Sequence, residues 1–311
     1  MTAPDWVSAA FGVELHDRPG AAPISELVQL GLRRNPKRAH LLVSTVLGKH
    51  LPTPPAAVRG SADDLGDAVV ALLGPRAAEA TVLGFAETAT GLGHCVAERI
   101  GAARYLHSTR RAVPGAQVSG TFEEGHSHAT THLLLPTDAA FLDPPATCPV
   151  VLVDDELSTG RTAVEAIASL HALHPHHRYL VASLVDMRDD AQEADCAAAA
   201  RELGVEIEFV ALTRGRIHLP ADLVDNVCAL DPADLNPRVP DPAAERGTTT
   251  VVPAPWPADV PDGGRHGFLA SDTSRFHLAV DDLAAHVAGY LAPDEQVTVV
   301  GHEELMYLPL C

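Results

Sequence analysis

Apolar positions along the middle of this chain alternate between two spacings. Short apolar runs of strand type occur at Ala39–Leu47, Thr81–Ala86, Ala103–Ser108, Pro149–Asp155, Tyr179–Met187 and Glu206–Thr213. Between them the spacing is helical. Ser61 is placed to cap a helix carrying Leu65, Val69 and Leu72, and Gly91–Ile100 reads as a helix opening from a glycine-rich turn. Thr162–Leu173 and Gln192–Leu203 are two more helices. Gln117–Glu124 and Ala129–Pro136 read as the arms of a hairpin around Gly125. Strands alternating with helices predict an α/β fold: a mostly parallel sheet covered by helices on both faces. In such a sheet the ligand sits beyond the C-terminal strand ends.

After residue 230 the texture changes. Eight prolines fall between Asp231 and Asp262, with a threonine run at 248–250, which reads as a linker or an extended wrapping segment. A helix-like stretch, Phe276–Leu291, and a strand, Gln296–Gly301, follow. The sequence stops at Cys311, so a last βα unit lacks its helix. The expectation is a shortened chain or an irregularly packed last element. The expected organisation is an N-terminal extension (1–38), a main α/β unit (39–230), a linker (231–262) and a partial C-terminal domain (263–311).

Composition narrows the possible functions. The 311 residues carry 22 Lys+Arg against 41 Asp+Glu, a formal net charge of −19. That field argues against a nucleic-acid or anionic-membrane partner. It leaves room for a local phosphate site, because helix N-termini and backbone N–H groups bind anions unaided. Only Lys37 and Lys49 are lysines, and Gly48-Lys49-His50 lacks the hydroxyl residue and earlier glycine of a Walker loop. Aromatic residues are 4 % of the chain, so the core must be built from Ala, Val and Leu. No apolar run is long enough to span a bilayer, and the first twenty residues lack a signal-peptide pattern. Five scattered cysteines without a Cys-x-x-Cys read as reduced thiols of a cytoplasmic protein.

The chemistry concentrates in Val150-Val151-Leu152-Val153-Asp154-Asp155-Glu156-Leu157-Ser158-Thr159-Gly160-Arg161-Thr162. Four aliphatic residues form a buried strand, two acids end it, and a hydroxyl- and glycine-containing loop leads into a helix. Loop N–H groups and the helix N-terminus suit a phosphate, with Ser158, Thr159 and Thr162 as added donors. Gly160 allows close backbone approach. Asp154 and Asp155 suit vicinal ribose hydroxyls, directly or through hydrated Mg²⁺. The bland alternative is a strand–turn–helix with a polar cap. Here the sequence resembles the type I phosphoribosyltransferases, whose thirteen-residue signature for phosphoribosyl pyrophosphate (PRPP) it matches throughout.

A second strand-to-glycine turn, Thr81 to Gly93, contains Glu87, Thr88, Ala89, Thr90 and Gly91. The resemblance implies that these five bind pyrophosphate. A dinucleotide fingerprint is the competing reading. It is weakened because Gly91-Leu92-Gly93 has Val96 where the third glycine belongs. Further on come Ser108-Thr109-Arg110-Arg111 and Phe122-Glu123-Glu124-Gly125-His126-Ser127-His128. His126 and His128 share one face of a strand. They suit metal binding, acid–base work or a pyrophosphate clamp, or are simply exposed hairpin histidines. Arg110 and Arg111 suit a phosphate clamp or a solvated turn.

Over about residues 40–215 the sequence is similar to the phosphoribosyltransferase of tellurite-resistance (Ter) stress operons. Leu47–Pro52, the Ser-Thr-Arg stretch and the His-Ser-His stretch carry that likeness, with Gly125 inserted between the acids and His126. Gly264–Gly267 and Gly301–Tyr307 resemble the start of the TRSP domain that follows this enzyme, although its Thr-Arg-Ser-Pro stretch is absent. The resemblance implies a type I fold with a hairpin flap, and transfer of ribose 5-phosphate from PRPP to a base-like acceptor with release of pyrophosphate. It implies Asp154, Asp155, Glu123, His126 and His128 as the catalytic set. Ser158, Thr159, Gly160, Arg161 and Thr162 would hold the 5′-phosphate. Arg110, Arg111 and Lys49 would join the pyrophosphate loop, and Mg²⁺ would be held through water by Asp154 and Asp155. The expected setting is a homodimer making a nucleoside-like metabolite. A PRPP- or nucleotide-sensing regulator on the same fold, without turnover, is the alternative.

Overall fold

The computed structural model describes residues 6–123, 131–231 and 248–311. Its strands are β1 (Glu14–Asp17), β2 (Val28–Leu32), β3 (His40–Ser44), β4 (Thr81–Gly84), β5 (Arg104–His107) and β6 (Gly120–Glu123). They continue as β7 (Thr131–Leu134), β8 (Val150–Leu157), β9 (Arg178–Asp186), β10 (Glu206–His218) and β11 (Phe268–Leu269). The helices used below are α1 (Trp6–Phe11), α2 (Pro55–Leu73), α3 (Thr90–Arg99), α4 (Arg161–Leu173), α5 (Asp190–Leu203), α6 (Leu223–Ala229) and α7 (Thr273–Ala288).

Among the described residues seven strands form the central sheet, in the order β1-β10-β9-β8-β4-β5-β11. The five inner strands are parallel, and the two edge strands run antiparallel to them. Inner strands buried on both faces need continuous apolar runs, which explains Val150–Val153 and Tyr179–Ala182. Successive side chains point to opposite faces. Val151, Val153, Leu180 and Ala182 therefore join one core with α2 and α3. Val150, Leu152, Tyr179 and Val181 join the other, against Ala163, Ala166, Ile167 and Leu170 of α4. Each Val, Leu or Ile side chain among them contributes about 1.5–3 kcal/mol on burial.

The expected strands and helices of the α/β unit are present, with several differences. Ser61 does not start its helix. Pro55 stands in the first turn of α2, where its missing N–H is harmless. Ser61 lies buried within that helix, and its hydroxyl donates to the Val58 carbonyl at 3.0 Å. Leu72 is 40 % exposed and stays outside the core. The strand predicted at Ala39–Leu47 is the shorter β3, which pairs with β2 in a separate ribbon. The hairpin is the β6–β7 pair, with Gly120 opposite Leu134 and Glu123 opposite Thr131. Its predicted tip at Gly125 lies outside the described residues, as do residues 232–247 of the proline-rich stretch. Gln296–Gly301 is irregular and exposed, not a strand, and among the described residues no strand pairs with it.

Both ends of the chain meet the central sheet. β1 pairs with Gly215–His218, and β11 pairs with Arg104 and Tyr105. Phe276 of α7 and Tyr307 are buried in the same core as α3. Tyr307 stacks on His94 with ring centroids 3.6 Å apart. Burial, with nearby His107, His277 and Arg59, pushes the His94 imidazole well below its ordinary pKa, so it packs as a neutral ring.

Candidate active site

The parallel strands end together, and their C-terminal loops gather the polar chemistry. β8 carries its apolar run to Val153 and then exposes Asp154 and Asp155, both half-buried. The backbone N–H of Asp155 donates to Asp154 Oδ1 at 2.9 Å. The loop after β4 approaches the same acids, and the Thr88 hydroxyl donates to Asp155 Oδ1 at 2.8 Å. Beside it, Glu87 Oε2 lies 3.7 Å from Lys49 Nζ. Lys49 thus reaches the site from the β2–β3 ribbon side, although its preceding strand is not in the central sheet. His50 sits in the field of both neighbours. Burial and Lys49 hold its pKa below the ordinary histidine value, while Asp155 pulls it up.

Ser158 and Thr159 are half-buried, Gly160 is buried, Arg161 is exposed, and α4 begins at Arg161. Gly160 has φ +77°, and a Cβ there would lie 2.7 Å from Cys196 Sγ and 3.0 Å from Arg188 Cδ. The position therefore needs glycine both for its left-handed backbone and for space. The Arg161 N–H donates to Thr159 Oγ1 at 3.3 Å, and no side chain caps the helix from Gly160. The first turn of α4 suits an anion at this point. Behind the loop, Arg188 makes two bonds to Asp186, at 2.9 and 2.8 Å, with both side chains almost fully buried. Its guanidinium lies 3.6 Å from the Phe209 ring centroid.

The loop after β4 is divided in two. Glu87 and Thr88 are half-buried beside the acids, whereas Ala89, Thr90 and Gly91 are buried at the start of α3. The Thr90 hydroxyl donates to the Glu304 carbonyl at 2.6 Å. Arg111 is half-exposed after β5 and lies 3.3 Å from Glu303 and 3.4 Å from Glu304. Arg110 is half-buried beside it. Glu123 is exposed on β6 and accepts a bond from the Thr131 hydroxyl at 2.8 Å. His126 and His128 lie outside the described residues.

Other neighbours of the site were not visible as such in the sequence. Arg38 donates to Glu156 Oε1 at 2.7 Å, one residue beyond the acid pair. Burial raises the Glu156 carboxyl pKa, against the pull of Arg38. Arg38 and Glu156 are 118 residues apart, and no local pattern pairs them. Arg214 and Arg216 follow the predicted Glu206–Thr213 strand in sequence but lie inside β10. They pair with Asp186, Glu193 and Asp190. A surface cleft lined by Arg76, Arg178 and Glu206 lies at the opposite, N-terminal ends of the strands.

Among the described residues no three His, Cys, Asp or Glu side chains converge to hold a metal. The donor chemistry nonetheless suits Mg²⁺ shared with a substrate. Mg²⁺ keeps several waters and binds through one or two carboxylates plus phosphates, not in an all-protein cage. Asp154 and Asp155 provide such an oxygen pair. Among the described residues no helix is long and apolar enough to cross a membrane.

A parallel sheet thus carries an acid pair and a glycine turn at the C-terminal end of β8. Residues 27–216 match the model of a family described as phosphoribosyl transferase, and the chain belongs to that family of enzymes. Residues 262–311 match the TRSP domain, described as C-terminal to it. No curated protein matches the chain. Among solved structures it is similar to the Trypanosoma brucei adenine phosphoribosyl transferase in complex with AMP, pyrophosphate and ribose-5-phosphate. That likeness has 15 % identity and a TM-score of 0.46 over 71 % of this chain and 88 % of the other. It is also similar to the Giardia lamblia enzyme complexed with 9-deazaadenine, at 20 % identity and a TM-score of 0.40 over 61 % and 95 %.

Proposed function

We propose that the enzyme transfers ribose 5-phosphate from PRPP to a nitrogen of a base-like acceptor and releases pyrophosphate. The bond from the anomeric carbon to the pyrophosphate oxygen breaks, and its electron pair leaves with pyrophosphate. A carbon–nitrogen bond forms on the opposite face, and the acceptor nitrogen gives up its proton. The protein's task is to position the reactants and to stabilise charge. The Ser158–Thr162 turn and the first turn of α4 hold the 5′-phosphate. Asp154 and Asp155 accept bonds from the ribose hydroxyls and favour positive charge at the anomeric carbon. Glu87 to Gly91, Lys49, Arg110 and Arg111 form the pyrophosphate side, where backbone N–H groups and the three cations face the leaving group. Glu123, with His126 and His128, belongs to the hairpin that covers it. Mg²⁺, held through water by Asp154 and Asp155, would offset the charge of the leaving pyrophosphate.

The observation that carries this reading is the Thr88–Asp155 bond. It joins the loop after β4 to the acid pair of β8, so that pyrophosphate and ribose groups of one substrate meet both. We further propose residues 39–230 as the catalytic domain and 1–38 as an N-terminal extension. Residues 231–262 are the linker and 263–311 the segment similar to the TRSP domain. The proposed setting is a cytoplasmic homodimer that makes a nucleoside-like metabolite in a tellurite or stress response. The test mixes the protein with Mg²⁺-PRPP and a panel of bases and follows pyrophosphate. Release with at least one base, abolished in the Asp154→Asn, Asp155→Asn double variant, supports the reading. Tight PRPP binding without release from any base would favour a sensor.

A further inference from the structure

We propose that Glu304 is a positioning residue for the pyrophosphate side of the site, which makes the C-terminal segment a working part of the enzyme. The inference rests on the PRPP reading above. Glu304 stands where the loops after β4 and β5 meet. Its carbonyl oxygen accepts from the Thr90 hydroxyl at 2.6 Å. Its carboxylate accepts from the Thr109 hydroxyl and lies 3.4 Å from Arg111 and 3.3 Å from Arg265. Next to it, Met306 packs on the start of α3, since a Cβ on Gly91 would lie 3.2 Å from Met306 Cβ. Glu303 has φ +55°, a turn that brings the neighbouring carboxylate to the same two arginines, at 3.3 Å from Arg111 and 3.2 Å from Arg265.

The Glu304 side chain is 1 % exposed. A carboxylate so buried is tolerated only when its partners offset the lost hydration. Burial pushes its pKa up, but Thr109, its own backbone, Arg265 and His107 outweigh that and keep it below the ordinary value, so it stays ionised. The network continues into the hairpin. Thr109 exchanges two backbone bonds with Leu133 of β7, at 2.9 and 2.8 Å. Glu304 therefore links three segments: its backbone carbonyl holds the entry to α3, and its carboxylate holds the Thr109–Arg111 turn and, through Thr109, the base of the hairpin. Its ion pair restricts the rotamers of the half-exposed Arg111, an ordering cost that pyrophosphate binding then need not meet.

The sign of a charge-removing substitution separates this role from the alternatives. A carboxylate merely near the site repels pyrophosphate, so neutralising it would tighten binding. A merely structural carboxylate would lower stability and leave affinity alone. A positioning carboxylate, neutralised, loosens binding. The experiment titrates the full chain, E304Q, T109V, R111Q and E304Q/R111Q with Mg²⁺-pyrophosphate and Mg²⁺-PRPP by calorimetry, with thermal unfolding alongside. E304Q should bind both ligands about tenfold more weakly, and the double variant should bind no worse than R111Q. T109V, which keeps the charge but removes the hydroxyl, should weaken binding in the same direction, and it decides the matter should E304Q not fold. Unchanged or tighter binding by E304Q, or by T109V in its place, overturns the inference while leaving the PRPP reading intact. Failure of the full chain to bind either ligand overturns both.

Discussion

The Thr88 hydroxyl donates to Asp155 Oδ1 across the gap between two adjacent parallel strands, 67 residues apart in sequence. One acid of the pair is thereby pinned to the loop proposed for pyrophosphate. Asp155→Asn should lower pyrophosphate release from PRPP by at least about a hundredfold, in the range for loss of one transition-state electrostatic partner. Thr88→Val should cost less and leave the unfolding midpoint nearly unchanged. Steady-state pyrophosphate release with the best base of a panel measures both. A D155N enzyme of near-normal rate would remove Asp155 from the catalytic set.

Gly160 offers a stability test of the phosphate turn. Alanine there must adopt φ +77° and place its Cβ 2.7 Å from Cys196 Sγ. The left-handed backbone alone costs about 1–2 kcal/mol. Gly160→Ala should lower the denaturant midpoint accordingly and weaken PRPP binding at the same time. Equilibrium unfolding and calorimetry read the two effects separately.

The Asp186–Arg188 pair behind that turn is buried on both sides, at 3 % and 2 % exposure. Asp186→Asn leaves the Arg188 guanidinium buried without its counter-charge and should cost about 3–5 kcal/mol. Burial raises the Asp186 pKa, but Arg188 and Arg214 outweigh it and set the folded value below the ordinary 3.8. Its contribution to stability is therefore whole above about pH 4 and is lost as pH falls through the folded value. In D186N this acid arm of the pH–stability curve should flatten.

A second arm lies at higher pH. Burial holds the pKa of His107 down to about 4, with nearby Arg265 and His266 also lowering it. Between about pH 6.5 and 4 the unfolded chain then holds the extra proton, and stability falls on acidification by up to about 1.4 kcal/mol per pH unit from this one group. His40, also lowered to about 4 by burial, Arg38 and Arg33, acts in the same direction but is partly exposed and adds less. Denaturant unfolding across this range should show the loss before carboxylates titrate. His107→Gln should reduce the slope.

Local patterns reveal those features that local physics decides. Val150–Val153 reads as an inner strand of a parallel sheet because strands and helices alternate around it, and the acids and glycine turn after it mark the ligand edge without reference to any partner. Patterns of the same kind mislead where a partner is required. Val299 and Val300 suggest a strand, yet with no strand beside them they lie 64 % and 85 % exposed. Ser61 resembles a helix cap, yet Pro55 begins the helix six residues earlier because proline fits the first turn. Glu304 was invisible as a site residue. Its hydroxyl partner Thr109 is 195 residues away, and a glutamate in a loop carries no signal until the fold buries it.

The two edge strands have a practical consequence for anyone shortening this protein. β1 and β11 lie outside residues 39–230 and are only four and two residues long. They occupy the backbone groups of β10 and β5 that would otherwise face solvent. A fragment trimmed to 39–230 would present bare strand borders on both flanks. Such borders recruit the borders of other molecules, so the trimmed fragment should form larger assemblies in solution than the longer chain.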